Sequence, residues 1–89
     1  MTTRRYTVSG LVQGVGFRWF VRRIADAFGV TGTVQNLPDG SVEIIATGAE
    51  DQHQSFREQV EIGPDSARVD HVAIQPMELR RFSDFRSLR

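Results

Sequence analysis

The hydrophobic period of this chain changes at Gln13-Gly14-Val15-Gly16, and that hand-over limits its fold more than any other feature. Before it, Arg4 to Val12 alternates, with Tyr6, Val8, Gly10 and Val12 on one side and strand formers throughout. After it, Phe20, Ile24, Ala27 and Phe28 recur at helical spacing within Phe17–Phe28, while Arg22, Arg23 and Asp26 fill the other face as a solvated surface and Gly29 supplies the C-terminal cap. A strand thus passes directly into an amphipathic helix. Thr31–Leu37 returns to a strand pattern, Leu37-Pro38-Asp39-Gly40 makes a proline-led tight turn, and Ser41–Thr47 runs back as a β-hairpin. Glu50–Ile62 reads as a second helix whose thin apolar stripe of Ala49, Phe56 and Val60 also carries His53, and Gly63-Pro64 stops it. A fourth strand is expected from Arg68 to Glu78, and a short fifth around Phe85–Leu88.

The order βαββαβ is that of an α+β, ferredoxin-like sandwich, with two helices covering one face of an antiparallel sheet. No repeat, linker or low-complexity segment interrupts it, so residues 1–89 are expected to form a single domain. The crossover from the first strand through the first helix is right-handed, which makes the first and second strands parallel and puts their C-terminal ends on one edge. The 13–18 loop and Asn36 therefore meet there.

Composition removes most other chemistries. Eleven acidic and eleven basic residues give zero net charge, which argues against a dedicated nucleic-acid or anionic-membrane binder. With no cysteine there is no disulfide, thiolate nucleophile or sulfur-ligated metal. Every basic residue is arginine, so the nucleotide-binding lysine and Schiff-base mechanisms are excluded while bidentate contacts to phosphate remain available. The serines lack a histidine partner in any recognisable arrangement, and His53 and His71, read as helix-rim and strand residues, show no metal spacing. The N-terminus carries no apolar signal core and no stretch is long enough to span a bilayer, so a cytoplasmic, untargeted monomer is expected.

Glycines around a helix start let several main-chain N–H groups converge, and the helix dipole adds positive charge, so Gln13, Gly14, Val15, Gly16 and Phe17 are candidate anion-binding positions with Arg18 as a planar fork at the mouth. On spacing alone, the commoner meaning of such a loop is a tight turn beside a solvated arginine, and Asn36 is as readily a strand-end residue satisfying its own turn. A neutral amide also has both a donor and an acceptor, enough to orient water without acting as a base.

Three blocks, GLVQGVGFR (10–18), VQNLPDGSVE (34–43) and GPDSARV (63–69), together resemble the acylphosphatase family across nearly the whole chain. The resemblance implies the ferredoxin-like fold, a phosphate loop at 10–18, Arg18 as the phosphate-binding arginine and Asn36 as the residue positioning the attacking water. It also implies hydrolysis of small acyl phosphates to carboxylate and inorganic phosphate without metal, organic cofactor or phosphoenzyme. Leu37 stands where some members carry a hydroxyl residue that steadies the asparagine, and His53 where an apolar residue is expected, which would loosen the core. The absence of a titratable acid at the site fits this reading, because a carboxylate leaving group with a pKa of about 4 departs unprotonated.

Two other readings stand beside it. VQGVGFR followed by an aromatic-rich helix also resembles the domain that begins the hydrogenase-maturation carbamoyltransferases, against which a chain ending at Arg89 is expected to weigh. The other is a non-catalytic anion-sensing or interaction module. RNA binding by this element order uses aromatic residues on the third strand, and Val42–Ala46 has none.

Overall fold

The computed structural model describes residues 1–88; Arg89, the end of the expected domain, lies outside them. The elements are β1 (Thr2–Leu11), α1 (Phe17–Phe28), β2 (Thr31–Asn36), β3 (Val42–Gly48), α2 (Glu50–Ile62), β4 (Arg68–Met77) and β5 (Phe85–Ser87). Both helices span the expected residues, and the strand ends shift by one or two. The strand order is β4-β1-β3-β2-β5. Since β3 pairs antiparallel with both β1 and β2, those two run parallel and their C-terminal ends share an edge.

The sheet is mixed rather than antiparallel throughout, because β5 pairs parallel with β2, with Val34 opposite Ser87. The cause is the route taken after β4. Residues 78–84 cross the sheet on the side away from the helices, where the Arg80 carbonyl accepts from Thr47 Oγ1 at 2.8 Å and the Arg80 N–H donates to Thr3 Oγ1 at 2.8 Å. The chain then reaches the far edge already running in the direction of β2.

Alternation puts Tyr6 and Val8 of β1, Val34 of β2 and Ile44 and Ala46 of β3 on the helix side, and all are buried. Each large apolar side chain removed from water contributes about 1.5–3 kcal/mol. From α2, Phe56 meets Tyr6 edge-on at 5.5 Å between ring centres. From α1 the buried residues are Phe17, Val21 and Ala25. The expected Phe20, Ile24 and Phe28 only flank that seam and Ala27 is exposed. The true seam and its flank are both spaced at i, i+4, so periodicity alone does not choose the rotation of the helix.

His53 is a second correction. It is fully enclosed instead of lying on a helix rim, and it does not loosen the core, since both ring nitrogens are hydrogen-bonded, to Tyr6 Oη at 2.6 Å and to the Thr2 carbonyl at 2.9 Å. Among the described residues, no helix is long and apolar enough to cross a membrane.

Candidate functional site

The loop that joins β1 to α1 is launched by a register shift at Ser9/Gly10 against β4. At Gly10 a Cβ would lie 2.1 Å from the Arg68 carbonyl, so only glycine lets β4 come so close. Four residues on, the chain turns with Gly14 and Gly16 at φ 74° and 78°, the left-handed region where other L-residues are strained. Gly16 is the N-cap of α1, offers no side-chain acceptor, and no acidic residue follows in the first turn.

The consequence is a row of free donors. Among the described residues, no acceptor takes the main-chain N–H of Gly14, Val15, Gly16, Phe17, Arg18 or Trp19; the first bond of the helix is from the Phe20 N–H to the Gly16 carbonyl at 3.1 Å. The start of α2 shows how such a helix is normally finished. There Glu50 and Asp51 complement the dipole, and Gln52 Oε1 accepts from the Ala49 N–H at 2.7 Å.

A cleft of about 260 Å³ opens over the free donors, and Gly14, Gly16, Phe17, Arg18 and Asn36 all line it. Topology brings Asn36 to this place, as the last residue of β2 paired with Val42 of β3. The two expected polar side chains thus face one space. Arg18 is half-buried, with no carboxylate within ion-pair distance among the described residues. Asn36 Oδ1 is enclosed and accepts no hydrogen bond from those residues.

Other loop residues hold the cradle from outside. Gln13 Nε2 donates to the carbonyls of Leu37 and Ser41, each at 2.8 Å, which ties the loop to the hairpin turn. The turn is itself fixed by Asp39 Oδ1, which accepts from the Ser41 hydroxyl at 2.6 Å and N–H at 2.9 Å, and these bonds hold the Asp39 carboxyl below its usual range. The Val15 carbonyl accepts from Ser66 Oγ at 2.7 Å, and the Phe17 ring is in the core. Neither Gln13 nor Val15 lines the cleft.

Three residues of the cleft were not foreseen as site residues: Trp19, Arg22 and Ser87. Arg22 is exposed, as expected of a solvated face, and also lines the cleft. The signal for it was its i+4 spacing from Arg18, whereas nothing local marks Ser87, which arrives with β5. Arg23 instead lies over the Trp19 ring, 4.8 Å from its centre.

A family model described as Acylphosphatase matches residues 4–87. A protein named Acylphosphatase from Caldivirga maquilingensis is 52% identical over 75 residues, covering 83% of this chain and 79% of that one. Its namesake from Actinobacillus succinogenes is 45% identical over 86 residues, covering 96% of each chain. The crystal structure of acylphosphatase from Bacillus subtilis matches with a TM-score of 0.96 at 39% identity, over 100% of both chains.

Proposed function

Because the chain belongs to the acylphosphatase family, we propose that it hydrolyses the carboxyl–phosphate bond of small acyl phosphates at the cleft between the 13–18 loop and Asn36. The observation that supports this reading is the coincidence of unpaired N–H groups, an unpaired guanidinium and the Asn36 amide around one space. In it the phosphoryl oxygens accept from the main-chain N–H groups between Gly14 and Trp19, and Arg18 supplies two parallel donors with a full charge. Asn36 holds the water in line with the bond to be broken. The Asn36 amide has both a donor and an acceptor with which to orient that water.

The water oxygen bonds to phosphorus as the bond from phosphorus to the acyl oxygen breaks, and the electron pair leaves with the carboxylate. One hydrogen of the water stays on its oxygen and the other passes to a phosphoryl oxygen, giving dihydrogen phosphate. Phosphoryl transfer of this loose kind asks for alignment and charge stabilisation more than for acid or base. The reaction then needs no metal, organic cofactor or phosphoenzyme, and we assign it to a monomeric chain of the cytoplasm.

Benzoyl phosphate hydrolysis in the presence of a chelator tests the proposal. Arg18→Gln is expected to abolish both turnover and inhibition by phosphate. Asn36→Ala keeps phosphate inhibition and lowers kcat about a hundredfold, the roughly 3 kcal/mol typical of one well-placed polar group. Hydrolysis unaffected by either change, or dependent on a metal, contradicts the mechanism.

A further inference from the structure

Arg22 lies one helical turn beyond Arg18, about 6 Å along the axis, and lines the same cleft. We propose that Arg22 is a specificity-determining residue that binds a second anionic group on the acyl part of the substrate, so that acyl phosphates carrying a carboxylate or another phosphate are preferred to uncharged ones. This rests on the phosphate site proposed above.

Charge placement carries the argument. Arg4, Arg5, Arg57, Arg68 and Arg86 each have a carboxylate within ion-pair distance, and among the described residues Arg22 and Arg18 do not. Like charges at i, i+4 repel, and cations near a helix N-terminus oppose the dipole, so Arg18 and Arg22 add positive charge to the first turns of α1 that no close ion pair among the described residues neutralises, although Asp26 stands one turn beyond Arg22. A phosphoryl group answers the loop donors and Arg18. Arg22 stands one turn further along the helix on the same cleft, and in the proposed arrangement the acyl group extends toward it.

The neighbouring Arg23 does not share this role, because its guanidinium is stacked on Trp19 and it lines a different groove. Ser87 of β5 lines the same cleft, its hydroxyl free of hydrogen bonds among the described residues. Among the described residues that line the cleft, Arg22 and Ser87 bring a cation and a neutral hydroxyl, and none brings a carboxylate.

The test compares benzoyl phosphate with 4-carboxybenzoyl phosphate, whose second anion sits on a rigid ring and cannot attack its own anhydride. Wild type is expected to show a higher kcat/KM for the carboxylated compound. Arg22→Gln should reduce the ratio of the two kcat/KM values about threefold to fivefold, Arg22→Lys should retain most of it, and Arg23→Gln should leave it in place. Added salt should lower the wild-type ratio more than that of Arg22→Gln. If wild type hydrolyses both compounds and Arg22→Gln does not change the ratio, the role of Arg22 is refuted while the hydrolase stands. If wild type hydrolyses neither, both fall.

Discussion

His53 is enclosed between α2 and β1 without an unpaired ring nitrogen. The Thr2 carbonyl can only accept, so Nε2 carries the hydrogen and Nδ1 receives the Tyr6 hydroxyl. Burial pushes the imidazole pKa down; the Thr2 carbonyl pulls it partly back, Arg4 and the N-terminus push it further down, and Glu50 opposes them. A folded pKa below the unfolded value of about 6.5 means stability that is fully present above that pH and lost as pH falls through it toward the folded value. We therefore predict that the urea midpoint falls between pH 7.5 and pH 5, and that His53→Leu loses much of this slope while being less stable at pH 7.5, since Tyr6 is left without its acceptor. A slope unchanged in the variant would reject this assignment.

At the scale of elements, the two helix starts differ in what they leave for an anion, which is why we propose only one of them as the phosphate seat. α2 is closed by acids and a returning glutamine, whereas α1 begins on a glycine with bare N–H groups and is tied to the hairpin through Gln13. Gln13→Ala removes the second donor to the Leu37 and Ser41 carbonyls, which keep the Gly40 and Leu37 N–H groups respectively. It should cost about 1–2 kcal/mol in stability and weaken phosphate binding by loosening the loop against the turn that carries Asn36. Equal phosphate affinity in the variant, by calorimetry, would remove the brace from the account. Element order, the helix bounds, the shared edge of loop and Asn36 and the glycine cradle were legible in the sequence, because periodicity and turn chemistry are local. The rotation of α1, the hydrogen-bonded enclosure of His53 and the parallel pairing that carries Ser87 of β5 to the cleft were not. Each depends on what packs against the segment, and the apolar series on α1 is wide enough to accept either Phe20 or Val21 at its centre.

For the whole molecule, a Cα radius of gyration of 11.6 Å is close to the roughly 12 Å expected for a compact chain of this length. With one core shared by both helices and the sheet, the account predicts a single unfolding transition. Inorganic phosphate at about a hundred times its Kd should add about 2.7 kcal/mol to wild type and nothing to Arg18→Gln. Separate transitions, or equal stabilisation of both proteins, would argue against one domain with one anion site. We propose that the free amides at the start of α1 seat the phosphoryl group, and an NMR titration of amide shifts with inorganic phosphate is the sharpest check on that seat. The account predicts saturable shifts concentrated at Gly14 through Trp19 and lost in Arg18→Gln; shifts absent from that segment, or centred elsewhere, would contradict it.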